Sequence, residues 1–344
     1  NTMTNDEGGT DNEEFRTAAV LDRVNTTWEA LMGTTFSCVQ CHSHPYDPFR
    51  HDEYYKFMAF FNNTRDEDSF GDYPVYREYN DSASAKMKEL TDWLQQNSGE
   101  QKAKEIKEFL LTWEPSINSL NADKLVNSAI ADTKWLAFRN QASAHLAHVD
   151  LDQKDELIFR YSGYVPHGKC TVRLDRPDGP VAFSFDLPKS GNGWVMTSVD
   201  FPMLKGTHDL YFTYSSSFLK KPEDTGAMID WLFFTQQFPG KGKPGYESMK
   251  KRFWELATMK TPTTPVMMEN PQDMHRNTYV FERGNWLVKG KQVQADVPHS
   301  LNPFPRNAPR NRLGLAEWIV SKENPLTSRT IVNRLWEQVF GTGL

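Results

Sequence analysis

The chain has 344 residues and a formal net charge of −6, with 24% charged and 38% hydrophobic residues. That acidic balance gives no electrostatic case for nucleic acid, no apolar run approaches the ~20 residues that span a bilayer, and 3 cysteines do not make a disulfide framework. The length suits two or three domains, and the 13% aromatic share suits β-sandwiches and stacking surfaces.

Residues 1–12 are acidic and rich in Gly and Asn, which predicts a mobile lead-in. From Glu13 to Met32 the apolar residues Val20, Leu21, Val24, Trp28, Leu31 and Met32 recur at helix spacing. After Gly33 the chain reads Cys38-Val39-Gln40-Cys41-His42. This C-x-x-C-H string is the attachment signal for a c-type haem. Two thiols so spaced can bond the two vinyl groups of one porphyrin, and the next residue, His42, then lies under the iron as an axial ligand. Other readings are a zinc or other metal site completed by His44 and Asp47, a redox dithiol, or no cofactor. A thioredoxin-like dithiol calls for a βαβ pattern, and none is visible. A structural zinc site calls for a second Cys/His pair, and Cys170 stands alone.

His44-Pro45-Tyr46-Asp47-Pro48 is a turn. A second helix follows, with Tyr54, Tyr55, Phe57, Met58, Phe60 and Phe61 as its apolar face. Residues 1–82 are therefore assigned to a helical domain carrying the C-x-x-C-H. Residues 83–129 read as a helical connector, with Met87, Leu90, Leu94, Ile106 and Phe109 spaced along it and a break near Asn97-Ser98-Gly99. From about 130 the period becomes two, in Leu157–Tyr161, Cys170–Leu174, Val181–Phe185, His208–Tyr214 and Ile229–Phe234. Short strands without helices between them predict an antiparallel sandwich or jelly roll over 130–237. Residues 238–310 read as linker and extended chain, with a short amphipathic stretch at Met249–Met259. Two helices are predicted in 311–344, led by Leu313, Leu315, Ala316, Trp318 and Ile319 and then by Ile331, Val332, Leu335, Trp336 and Phe340. The fold class is multidomain α plus β. The chain begins with Asn and ends just after a strong helix, so the expectation is a segment of a longer exported polypeptide with its signal peptide upstream.

Residues 19–64 resemble the second cytochrome-like domain of the planctomycete cytochrome c-type proteins. Asp22, Arg23, Val24, Thr26, Thr27, Cys38, Cys41, His42, His44, Asp47, Pro48, Tyr54, Tyr55, Phe60, Phe61 and Asn62 carry the likeness. Residues 310–344 resemble the start of the associated C-terminal domain, through Arg-Leu-x-Leu-Ala, Asn-Pro-Leu-Thr-x-Arg and Asn-Arg-x-Trp…Phe-Gly-x-Gly-Leu. Between them, 130–236 is similar to a carbohydrate-binding module of family six, on Asp155–Tyr161, Arg173–Asp175, Trp194, Gly206–Phe212 and Ile229–Phe233. Sugar-binding members often carry Asn just before the equivalent of Ile229-Asp230, where this chain has Met228. The resemblance implies an exported bacterial protein, often encoded near polysaccharide-degrading genes, and yields no reaction.

Cys38 and Cys41 are thus the expected covalent haem anchors and His42 the proximal ligand. His44 is too close in sequence to reach the opposite face of the ring, and is assigned with Asp47 to the pocket. Met58 and His51 are the nearest candidates for the sixth ligand, with His145 and His148 further off. Asp22, Arg23 and Asp47 read as capping and ion-pair groups rather than acid catalysts. Trp194, Tyr164 and Tyr214 form the candidate sugar-stacking platform, whereas Trp231, inside a strand, reads as core. Cys170 reads as a small buried hydrophobe. The expected role is redox or electron transfer with a partner protein, linked to polysaccharide at the cell envelope. The rivals are a glycan-binding protein without haem and a metal-dependent hydrolase built on the Cys/His cluster.

Overall fold

The computed structural model describes residues 11–65, 74–131, 134–191, 193–270 and 275–344, so the lead-in at 1–10 lies outside the described residues. The elements run, in order, α1 (Asn12–Met32), α2 (His51–Asn62), β1 (Val75–Arg77), α3 (Asp81–Ser98), α4 (Glu100–Thr112), β2 (Ile117–Asn118), β3 (Asp123–Ala131), β4 (Trp135–Asp150) and β5 (Glu156–Gly163). They continue with β6 (Lys169–Leu174), β7 (Val181–Asp186), β8 (Val195–Asp200), β9 (Thr207–Ser215), β10 (Ala227–Thr235) and α5 (Tyr246–Thr258). The last are β11 (Thr263–Pro265), β12 (Thr278–Glu282), β13 (Asn285–Val293), α6 (Arg312–Ile319) and α7 (Thr327–Phe340). Two compact units result: a sheet unit within residues 66–267, and a Cys/His unit from 11–65 together with 268–344.

In the Cys/His unit, α1 starts at Asp11, whose Oδ1 accepts from the backbone of Glu13 at 2.9 Å and Glu14 at 3.2 Å. It ends at Gly33, φ +69°, a left-handed cap that favours glycine. Val20, Val24 and Trp28 make its buried stripe. Trp28 stacks on Phe36 at 3.9 Å and meets the edges of Phe49 and Phe57. Its indole N–H donates to Thr34 Oγ1 at 2.6 Å. The α2 side chains Tyr54, Tyr55, Phe57, Met58 and Phe60 join this core, as do Phe281 and Val293 of the β12–β13 hairpin and Leu315, Trp318 and Ile319 of α6.

This grouping differs from the sequence segmentation. Residues 268–310 are not linker here, because the β12–β13 hairpin and the chain after it complete the core around α2. The unit is accordingly mixed rather than purely helical. Gly33→Ala tests the packing of the α1 terminus. The added Cβ would lie 2.5 Å from Thr330 Oγ1 at a positive φ, so a loss of about 1–2 kcal/mol is expected in a denaturant titration.

The sheet unit holds one antiparallel nine-stranded sheet in the order β7-β6-β9-β4-β10-β5-β8, with β2 on β10 and β3 on β4. The long strand β4 makes it a sandwich. Its residues 136–138 pair with β10 and its residues 142–150 with β9. Between them the strand bends at Asn140-Gln141, where Gln141 has φ +53°. Leu136, Phe138, Ala142, Ala144 and Leu146, on both sides of the bend, share one core with Phe159, Val172, Leu210 and Phe212. Helices α3, α4 and α5 cover part of the outer face, where Phe109, Phe253 and Leu256 pack on Ile158 and Trp231.

Candidate functional site

Cys38 lies on a 3₁₀ turn, Ser37–Gln40. Val39 is its buried residue; Cys38 is half-buried against the core, and Cys41 and His42 are exposed. The turn is held from below. Gln40 O accepts from Tyr55 Oη at 2.8 Å and lies 2.8 Å from His51 Nε2. Cys41 Sγ points to Arg283 O at 3.3 Å. His42 Nδ1 lies 2.8 Å from Ser43 O. A carbonyl oxygen only accepts, so Nδ1 carries the proton and Nε2 presents its lone pair. That is the arrangement in which an imidazole serves as a metal ligand, with its other nitrogen tied to a backbone carbonyl.

The neighbouring candidates have other duties. His44 Nδ1 accepts from the backbone of Tyr46 at 3.2 Å and of Asp47 at 2.8 Å, closing the Pro-rich turn. With that nitrogen's lone pair in use as an acceptor, the Asp47 carboxylate at 3.5 Å is a neighbour rather than an ion-pair partner. His51 donates from Nε2 to the Gln40 carbonyl, so it anchors the turn instead of presenting that nitrogen to a metal. Met58 is buried in α2 and lines a cavity of about 280 Å³ with Arg16, Asn62, Tyr279 and Phe281. It lies two helical turns, about 10 Å, beyond His51 along the helix axis. Arg23 is buried and donates to Thr64 Oγ1 at 2.9 Å, tying α1 to the end of α2, while Asp22 is exposed. His145 and His148 belong to the sheet unit.

The residues present fit covalent haem attachment in two respects: two thiols outside any disulfide flank one turn, and the next residue offers Nε2. Among the described residues no three His, Cys, Asp or Glu side chains come together as a metal site, and His44 and Asp47 are not drawn to the thiols.

In the sheet unit the three expected sugar-stacking residues separate. Tyr214 is a correction: it is 1% exposed and stacks on Phe138 at 5.6 Å inside the core, so it offers no surface. Its inward position follows from the alternation of β9, which buries Leu210, Phe212 and Tyr214 together. Trp194 is half-buried, 5.2 Å from Trp135 at an angle of 47°. The Arg160 guanidinium lies 5.2 Å over Trp194 and 5.7 Å from Trp113. Arg160 pairs with Asp230, which also accepts from the Trp135 side chain. Tyr164 is 47% exposed, its hydroxyl 3.4 Å from Met228 Sδ. Trp135 and Arg160 escape the sequence reading because the bulge of β10 between Ile229 and Trp231, which turns Asp230 toward them, leaves no sequence signature. Cys170 is fully buried, and burial pushes its thiol pKa up, the profile of an inert core thiol.

Family models match both ends of the chain, and the Cys/His turn lies within the first match. Residues 1–66 match the family model PSCyt2, Protein of unknown function (DUF1549), and residues 311–344 match PSD1, Protein of unknown function (DUF1553). Both ends match families associated with planctomycete cytochromes c. The resemblance read from the motifs at 19–64 and 310–344 is thereby confirmed. No curated protein matches the chain. Solved structures similar to part of it include a family 43 arabinoxylan arabinofuranohydrolase from Bacillus subtilis in complex with cellotetraose, at 18% identity and TM-score 0.27 over 30% of this chain and 22% of that one. The chain thus spans about a fifth of that hydrolase. Others are the module CsCBM6-3 from Clostridium stercorarium in complex with cellobiose, at 15% identity and TM-score 0.30 over 36% and 93% of the two chains, and a family 6 module from Clostridium cellulolyticum in complex with xylose, at 14% and 0.31 over 35% and 96%.

Proposed function

We propose that this chain belongs to an exported c-type haem protein whose redox role is linked to polysaccharide held by the sheet unit. The observation that carries the haem reading is the turn itself: Cys38 and Cys41 without disulfides, then His42 with Nδ1 tied to Ser43 O and Nε2 left as a ligand. Cys38 and Cys41 would hold the porphyrin through two thioethers, and His42 would hold the iron through Nε2. When bound, the haem supplies a one-electron couple, which implies a redox partner protein outside the cytoplasm. The chain's own contribution is to fix the turn, through Tyr55, His51 and the buried Val39, and to set the imidazole tautomer through Ser43. No described helix is long and apolar enough to cross a membrane.

The polysaccharide part rests on the half-buried Trp194 and Trp135 with the exposed Tyr164, ring faces of the kind that stack on pyranoses. Asp230 and Arg160 hold the two indoles in place before any ligand arrives, which lowers the ordering cost of binding. Trp194→Ala is expected to weaken binding of neutral β-linked oligosaccharides at this face at least tenfold, about 1.4 kcal/mol. Loss of the ligand-induced shift of the Trp135 indole N–H signal is the readout; an unchanged shift and affinity would remove the platform from the proposal. Double replacement of Cys38 and Cys41 by Ala is expected to abolish covalent haem in protein exported through a haem c maturation system, read by haem staining after denaturation. Retained stain would mean that these thiols are not the anchors.

A further inference from the structure

The cavity of about 280 Å³ beside Met58, in the Cys/His unit, brings together charges from three parts of the chain: Glu13 and Arg16 of α1, Arg276 just before β12, and Lys289 of β13. Arg16 is 8% exposed and fixed on every side. It donates to both carboxylate oxygens of Glu13, from Nε and Nη2 at 2.7 Å each, and to Asn62 Oδ1 from Nη1 at 3.1 Å. Arg276 donates from Nη1 to two backbone carbonyls, Thr64 O at 3.1 Å and Asn62 O at 3.4 Å, which anchors it without cancelling its charge. Lys289 makes no ion pair among the described residues, and its Nζ lies 5.8 Å over the ring of Tyr279. The apolar part of the lining is Met58 and Phe281, both buried, with the Phe281 ring set against Tyr55 at 5.0 Å.

Three cations thus share this lining with one carboxylate. Partial burial works against the Glu13 carboxylate, yet the Arg16 hydrogen bonds and the charges of Arg16, Arg276 and Lys289 hold its pKa below the ordinary range. All three positive fields therefore meet at one side of the cavity, and Glu13 already spends both oxygens on Arg16. A second anion entering here would relieve the repulsion between the remaining cations and gain charge-assisted hydrogen bonds. A bare inorganic anion would leave the Met58 and Phe281 surface uncovered, whereas an apolar body would bury it. The volume lies just under the roughly 300 Å³ at which sites for drug-sized ligands begin, so the ligand is small. We infer that this cavity binds a small organic carboxylate, with the carboxylate at Lys289 and Arg276 and an apolar body on Met58 and Phe281. The site uses no residue of the Cys38–His42 turn or of the Trp135–Trp194 platform, and rests on neither the haem nor the polysaccharide reading.

The test titrates the full chain with benzoate, hexanoate and 3-phenylpropionate by calorimetry, with 3-phenylpropionamide as the uncharged control. The methyl signal of Met58, assigned through Met58→Leu, reports the place of binding. At least one acid is expected to saturate at one per chain and to shift that signal, and the amide to bind at least tenfold more weakly than its acid. Lys289→Met, a surface change that keeps the apolar stem and is checked by circular dichroism, is expected to weaken the acid about tenfold and to leave the amide unchanged. The acid should bind equally well when Cys38 and Cys41 are both replaced by alanine. Failure of all three acids to saturate would overturn the proposal, as would an amide that matches its acid or an acid affinity unchanged in Lys289→Met. Binding seen only after the two cysteines are replaced would assign the cavity to the haem and overturn it equally.

Discussion

Arg160→Ala is expected to lower the stability of the sheet unit by about 3–5 kcal/mol, because it strands the carboxylate of Asp230 in the protein interior. Asp230 is 2% exposed and Arg160 is its cationic partner. Burial drives the Asp230 pKa above the ordinary carboxylate range, with the Arg160 charge and hydrogen bond and the Trp135 hydrogen bond opposing the rise. The sign of the pH dependence follows. Above the ordinary carboxylate pKa the folded chain holds a proton that the unfolded chain has released, so stability falls as pH rises through the raised pKa. Without Arg160 the pKa rises further and the window widens. The deficit of Arg160→Ala should therefore be larger at about pH 7 than at about pH 4 in paired urea titrations. Adding Asp230→Asn should recover part of it. Equal deficits at the two pH values would mean that Asp230 is not the group left unpaired. Because Arg160 also lies over Trp194, the variant should lose oligosaccharide affinity as well.

Arg77→Ala is expected to have an effect of similar size for a different reason. Arg77 is 1% exposed. Its guanidinium donates to Leu110 O at 2.8 Å, near the end of α4, and to Leu256 O at 3.2 Å and Met259 O at 2.6 Å, at the end of α5. It lies between the rings of Trp113, at 4.5 Å, and Tyr79, at 5.0 Å. One cation therefore satisfies the terminal carbonyls of two helices, where the backbone dipoles put partial negative charge. Truncation removes a donor from each carbonyl, leaves the Tyr79 hydroxyl, 2.9 Å from Leu110 O and 3.0 Å from Leu256 O, to serve two of them, and opens a cavity, about 3–5 kcal/mol together. Arg77→Lys should recover only part, since an ammonium cannot reproduce the planar fork that reaches both helix ends. Hydrogen exchange of the last turn of α5 is the local readout. Protection unchanged in Arg77→Ala would show that the cap is dispensable.

The residues that make the unit cores were largely legible. The stripe Val20, Val24, Trp28, the dense α2 face and Leu315, Trp318 and Ile319 of α6 announce themselves by helical period and are buried, whereas Leu313 and Ala316, read with them, are exposed. The break of α3 and α4 at Gly99 also matched its sequence signal. What escaped has physical reasons. Strand β4 is Ala-rich and bends in the middle, so neither half carries a long alternation. β3 exposes residues on both faces and β13 buries only Val293, so period two is absent from both. The hairpin of residues 278–293 therefore carries the sequence signature of a linker. At the sites, the C-x-x-C-H was visible as a string, but the tautomer of His42 and the anchoring role of His51 depend on backbone carbonyls that no sequence pattern specifies. Trp135 and Arg160 come to Trp194 through cross-strand register and the β10 bulge.

The central claim is covalent haem on Cys38 and Cys41 with His42 as ligand, and a pyridine haemochrome spectrum tests it most directly. The protein should be exported through a haem c maturation system, denatured and extracted with acid acetone before the spectrum is taken. An α-band of thioether-bound haem that stays with the polypeptide is the predicted result, with the band lost when both cysteines are replaced by alanine. A polypeptide from which all haem extracts, or which shows no α-band, would contradict the claim.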